Sequence, residues 1–185
     1  MAELAHYTRT HFGVFEVEHA PDGVRLRDTA LDIHPGEMRA SLVLHLISPQ
    51  PRYRLHGQLD GNGPSAAAKI RGCEPAYLNP REALKRGIRD GDIIRIFNEF
   101  GSVLCSARIV DWIADQVISV ETGAWFSPVE NGDVTCAHGN PDVLTRDVGC
   151  SRLSQGPSPN SALVSAELFT ASLPENTVRK APRFV

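Results

Sequence analysis

Arg52, Arg54, His56 and Gln58 alternate along one short stretch, and together they carry the chemistry needed to recognise a flat, anionic molecule. Arginine offers a planar fork of donors to a phosphate, while imidazole and amide groups match the polar edge of a fused ring. Alternation after an apolar run also describes a solvated strand edge, so the pattern alone leaves both readings open. A second polar set, His138, Asn140, Thr145, Arg146, Asp147 and Gln155, lies in a stretch dense in Gly, Pro, Asn and Ser. Ordered domains rarely carry so long an irregular stretch unless its loops have a task. Two such sets on one body suit a long ligand with a ring at each end and phosphates between.

Other chemistries fare worse. Gly61-Asn62-Gly63-Pro64-Ser65-Ala66 has the spacing of a dinucleotide-binding turn. That turn needs a buried strand before it and an amphipathic helix after it, and Arg54 to Asp60 is too polar for such a strand. A plain turn is expected. Cys136-Ala137-His138 with Cys150 lacks the short cysteine spacings of a zinc site, so small buried thiols and a loop histidine are expected. There is no Gly-x-Ser-x-Gly elbow and no His-Glu-x-x-His pair, and no catalytic residue is proposed. His45, inside an apolar run, reads as a satisfied core residue.

The elements that must position these residues are mostly short strands. Phe12 to Val17, the turn Pro21-Asp22-Gly23 and Val24 to Leu26 read as a hairpin. Leu42 to Ile47 is an apolar run of strand length, closed by Ser48-Pro49. Asn79-Pro80-Arg81-Glu82 opens a helix, with Asn as cap, Pro in the first turn and Glu three residues after the cap. Gly87 ends it. Ile93 to Phe97, Val103 to Val110 and Val117 to Val120 follow as β-branched runs separated by Gly or Asp turns. Such a series argues for a small closed β structure.

Composition sets the outer bounds. The chain has 185 residues, enough for one domain with extensions, with 42% hydrophobic and 22% charged residues. A net charge of −3 gives no global attraction to nucleic acid or an anionic membrane, and neither is expected as a partner. No run approaches the roughly 20 apolar residues of a membrane span, and the first residues do not read as a secretory leader. Cys73, Cys105, Cys136 and Cys150 are widely spaced, which favours reduced thiols and a cytoplasmic location. Residues 1–40 are taken as a hairpin and linker, 41–170 as the body, and 171–185 as a loose tail.

Leu44-His45-Leu46-Ile47-Ser48-Pro49-Gln50-Pro51, running into Arg54-Leu55-His56-Gly57-Gln58-Leu59, resembles the opening of the C-terminal domain of the dimethyl sulfoxide reductase family. The biotin sulfoxide and trimethylamine N-oxide reductase branch is the most similar. Asn79 to Gly87, Asp90-Gly91-Asp92, Thr122 to Phe126, His138 to Gly149 and Ser151 to Ser158 continue the likeness in family order. Thr8 to Leu26 resembles the hairpin at the opposite end of the full-length enzymes, so the long middle that holds the molybdenum ligand and substrate funnel has no counterpart.

The resemblance implies a mainly β fold: a six-stranded double-psi β-barrel with short helices and long Gly/Pro-rich loops. It implies help in binding a bis-molybdopterin guanine dinucleotide cofactor, shared with a larger chain. Arg54, His56 and Gln58 would line one pterin and its phosphates, and Thr122, Gly123 and Trp125 a nearby wall. His138, Asn140, Asp142, Thr145 and Gln155 would lie on loops against a pterin. Asp142 stands where the family usually has Asn, Gly57 where it has Ser, and Cys150 where it has Thr. The expected function is a cofactor-binding domain or small subunit of a molybdenum S-oxide or N-oxide oxidoreductase, docking on a larger catalytic chain. The alternative is a noncatalytic barrel left by an internal deletion, acting as an assembly module that self-associates through an exposed barrel face.

Overall fold

The computed structural model describes residues 15–20, 23–28, 43–129, 134–145, 153, 156 and 162–178. Two strands, β1 (Phe15–Ala20) and β2 (Gly23–Asp28), pair antiparallel as the expected hairpin, shifted a few residues along the chain. The remaining strands form a second sheet: β3 (Leu44–Ile47), β4 (Pro75–Leu78), β5 (Ile93–Phe97), β6 (Ser102–Ile109), β7 (Val117–Val120), β8 (Thr135–Cys136) and β9 (Leu163–Leu168).

Six of these close a ring in the order β4, β7, β3, β9, β5, β6, with β6 returning to β4 and β8 attached outside on β6. Two pairings are parallel, β3 with β7 and β4 with β6, and the other four are antiparallel. Exchanging β3, β4 and β5 for β6, β7 and β9 maps every pairing onto itself or onto another of the same sense. This interlocking of two like halves is the double-psi arrangement, and the fold is that barrel. Closure leaves no free edge among the six strands.

The core fills the ring with Leu44, Leu46, Ala76, Leu78, Ile94, Ile96, Val103, Cys105, Ile118, Val120 and Val164. Each large aliphatic side chain buried there contributes about 1.5–3 kcal/mol relative to exposure. Strand β3 alternates, with Leu44 and Leu46 inward and His45 and Ile47 outward. His45 is therefore exposed, not a core residue. The strand's period of two turns it away from the ring despite its apolar neighbours.

Two short helices flank the barrel. Helix α1 (Gly63–Ala68) replaces the plain turn expected there, started by Pro64 in its first turn. Helix α2 (Pro80–Arg86) follows the expected signals. Asn79 Oδ1 accepts from the Arg81 amide, and Gly87 stops the helix in a left-handed conformation at φ 65°. Glu82 turns aside to Lys85 and Arg86.

Strands β4 and β9 carry no clear mark in the sequence, yet β9 sits between β3 and β5 in the ring. Residues 171–178 are not loose. The Thr177 amide donates to Ser127 Oγ at 3.0 Å, and Asn176 bonds to His138. No helix among the described residues is long and apolar enough to cross a membrane.

Candidate functional site

Arg54 organises the site from inside. It lies not on a strand but in a run of turns, where His56 and Leu59 adopt positive φ values of 50° and 66°. The backbone curls around the guanidinium, which is only 2% exposed. Nη1 donates to Glu74 Oε1 at 2.7 Å and Ser65 Oγ at 3.3 Å. Nη2 donates to the Thr122 carbonyl at 2.8 Å and Nε to the His56 carbonyl at 3.1 Å. One side chain thereby ties together the 54–58 turns, helix α1, the head of β4 and the loop after β7.

Lys69 and His138 extend the network. Lys69 Nζ donates to Asp60 Oδ1 at 2.7 Å and to Glu74 Oε2. His138 Nε2 meets Asp60 Oδ2 at 2.6 Å. Two cations thus face two carboxylates, all at or below 3% side-chain exposure. Arg54 and Lys69 balance the charges of Asp60 and Glu74, which is what makes their burial tolerable. Burial alone would raise the Asp60 carboxyl. The hydrogen bonds from His138 and Lys69 outweigh that and hold it well below the usual carboxylate range.

Glycines let the loops close on this cluster. At Gly123, with φ 83°, a Cβ would stand 2.3 Å from the His56 carbonyl carbon. At Gly139, with φ 98°, a Cβ would lie 2.1 Å from Glu74 Cβ. Both positions need the left-handed backbone and the missing side chain at once. Trp125 Nε1 donates to the Gly57 carbonyl at 2.7 Å, and the tryptophan is 50% exposed. His56 and Gln58 are exposed on the same loops. On the Lys69 and His138 side of the cluster, Ala66, Lys69, Gly72, His138 and Asn176 line a cleft of about 260 Å³.

The residues singled out in the sequence therefore fall into two groups. Arg54, His56, Thr122, Gly123 and Trp125 meet around one buried cluster, which His138 joins through Asp60, and Gln58 lies on the same turns. Asn140, Asp142 and Thr145 form a separate 3₁₀ turn, Pro141–Leu144, in which Asn140 Oδ1 accepts from the Asp142 amide and Thr145 Oγ1 donates to the Asp142 carbonyl. That turn packs on the β5–β6 connection, where Asn98 Nδ2 donates to the Leu144 carbonyl at 2.8 Å. Gln155, Arg146, Asp147 and Cys150 lie outside the described residues.

Asp60, Ser65, Lys69, Glu74 and Asn176 were not singled out in the sequence. Glu74 gave one signal: a carboxylate directly before the apolar Pro75–Leu78 run must find a cation, and Arg54 lies 20 residues away. Cys73, Cys105 and Cys136 are free and buried, and no metal-holding group occurs among the described residues. Burial pushes the Cys73 thiol up to about 11.

A family model described as the Molydopterin dinucleotide binding domain matches residues 44–163, from the first barrel strand to the start of the last. The chain belongs to that family. Apart from Asn176, the whole ion cluster lies inside the matched span. The trimethylamine-N-oxide reductase of Haemophilus influenzae is 39% identical over 153 residues, which cover 81% of this chain and 18% of the reductase. That of Salmonella typhimurium is 40% identical over 151 residues, covering 80% of this chain and 18% of the reductase. The chain thus spans less than a fifth of the length of these relatives. Among solved structures, acetylene hydratase from Pelobacter acetylenicus shares the fold, with a TM-score of 0.53 at 16% identity over 70% of this chain and 18% of that one. Residues 44–163 thus form a molybdopterin dinucleotide-binding domain related to trimethylamine-N-oxide reductases.

Proposed function

We propose that this domain forms one wall of a bis-molybdopterin guanine dinucleotide site in an S-oxide or N-oxide oxidoreductase, with the rest of the site supplied by a larger chain. The observation that carries the reading is the gathering, by one buried ion cluster, of the loops bearing His56, Gln58, Trp125 and His138. The donor set fits such a group. Exposed imidazole and amide side chains and a half-exposed indole suit a flat polar ring, and the balanced cluster adds no net negative charge near phosphates. Arg54 spends its donors on the protein, so it would hold the wall while the residues it positions meet the ligand. On the 3₁₀ turn, Asn140 would offer its amide N–H groups, which have no partner among the described residues.

Once bound, the molybdenum cofactor supplies oxygen-atom transfer, and the domain's part is to orient and exclude water. Three buried free thiols suit a reducing compartment, and the cytoplasm is the proposed location. The test is purification from cells that make the cofactor, alone and mixed with extract, followed by pterin fluorescence and molybdenum analysis. Pterin should accompany the wild-type chain and fall at least tenfold in a His56→Ala/Gln58→Ala double variant. A folded wild-type chain that never carries pterin contradicts the reading.

A second reading has its own observation. Leu55, Leu59, Trp125 and Phe126 are 60%, 64%, 50% and 47% exposed, more apolar surface on these loops than a finished surface usually shows. A noncatalytic assembly module would bury them against a second copy. Sedimentation of the cofactor-free chain decides: a dimer lost in Leu59→Ser favours the module, and a monomer that takes up pterin rejects it.

A further inference from the structure

We propose that Asn176 is a ligand-contacting residue of the cleft, carried on a latch of residues 171–178 and held there by His138, a positioning residue. The contact role rests on the cofactor reading above, whereas the latch does not. Asn176 lies beyond the matched span of 44–163 and lines the cleft with Ala66, Lys69, Gly72 and His138.

The orientation of the Asn176 amide follows from a donor that has no choice. The Val178 backbone N–H can only donate, and it points at Asn176 Oδ1 at 3.1 Å. The opposite end of the amide, facing His138 Nδ1, is therefore the NH₂ group. An NH₂ group donates, so Nδ1 must be bare and accept. The imidazole proton then sits on Nε2, where it is donated to Asp60 Oδ2 at 2.6 Å. Asp60 in turn is held by Lys69. The chain from carboxylate to imidazole to amide thus has one sense, and it selects the neutral Nε2-protonated tautomer.

His138 has nothing left for a ligand. Both ring nitrogens are spent inside the protein, and the residue is 1% exposed. Asn176 is only partly buried and, among the described residues, keeps one amide N–H and one Oδ1 lone pair. A donor beside an acceptor suits the edge of a cyclic amide, the N–H and C=O pair of an oxidised nitrogen heterocycle. Ser127 fixes the latch at a second point, accepting from the Thr177 amide at 3.0 Å and meeting Thr177 Oγ1 at 3.2 Å. At the other end, the Phe169 amide donates to the Ile93 carbonyl at 2.9 Å and anchors the end of β9.

The test uses the full chain and three readouts. Nitrogen-15 NMR of the His138 ring should show Nε2 protonated and Nδ1 bare. In Asn176→Asp, which replaces the donor with an acceptor, the ring should take a second proton and give the imidazolium signature. The Thr177 and Val178 amides should be protected from hydrogen exchange in the wild type, and should lose at least tenfold of that protection in His138→Ala. In chain loaded from cofactor-making cells, Asn176→Ala should lower retained pterin at least tenfold. Arg81→Ala, an exposed control that touches Asp115, should leave pterin retention unchanged. A wild-type ring protonated on Nδ1, or free exchange at Thr177 and Val178, overturns the latch. Unchanged pterin in Asn176→Ala overturns the contact role alone. A wild-type chain with the expected tautomer but no pterin overturns the cofactor reading, and the contact role with it, while the latch stands.

Discussion

Two buried charge clusters in this small barrel use the same chemistry to different ends. On helix α2, Glu82 accepts from Lys85 at 2.6 Å and from Arg86, so three residues on consecutive turns close a cluster by themselves. The Arg54 cluster draws six members from distant parts of the chain: Arg54, Asp60, Lys69 after helix α1, Glu74, Thr122 and His138. The first cluster forms whenever the helix forms. The second forms only when the barrel has closed, and its formation puts the loops of the cleft in place. A local cluster therefore finishes an element, while a non-local one builds a site.

Removing the central cation should break that contrast most sharply. Arg54→Ala leaves Glu74 with Lys69 alone and orphans the Thr122 and His56 carbonyls. A loss of about 3–5 kcal/mol is expected, read by denaturant unfolding. Arg86→Ala, its counterpart on α2, should cost about 2 kcal/mol, because Lys85 is half in solvent and still reaches Glu82. Equal losses would erase the distinction between the two clusters.

Acid should weaken both clusters in the same direction. The folded-state pKa of Asp60 lies below its unfolded value, so its contribution is complete above the ordinary carboxylate range, near pH 4, and fades as pH falls further toward the folded value. Glu82 shifts the same way: burial would raise it, but hydrogen bonds from Lys85 and Arg86 lower it. Thermal melts from pH 7 to 3 should fall, and Asp60→Asn should flatten part of that slope. The smallest effect sharpens the site itself. Trp125→Phe deletes the bond to the Gly57 carbonyl and should cost about 1 kcal/mol, with the barrel's hydrogen-exchange protection unchanged.

Local signals in the chain reached much of the barrel. Asn79, Pro80 and Gly87 mark helix α2, and β5 and β7 stand out as β-branched runs because their own residues suffice to define them. Strand β9 was hidden because Leu163–Leu168 includes Ser, Ala and Glu and earns its place only by lying between β3 and β5. His45 was misplaced for the opposite reason, a polar residue among apolar neighbours on the outward face of β3. The site was half legible. Arg54, His56, Trp125 and His138 have side chains whose types suggest binding. Asp60, Glu74, Lys69 and Asn176 acquire their meaning from partners distant in sequence, which no local pattern displays. Arg54 itself reads as a phosphate hand in the chain and proves to be the bolt that holds the loops.

Trp125 offers the most direct measurement. Its half-exposed ring sits on the wall assigned to the cofactor, and in a Trp112→Phe background it is the chain's single tryptophan emitter. Titration with molybdopterin guanine dinucleotide should quench its emission saturably, and His56→Ala/Gln58→Ala should move the midpoint at least tenfold higher. Emission that stays constant through a saturating range of the dinucleotide, in a chain shown to be folded, would contradict the wall.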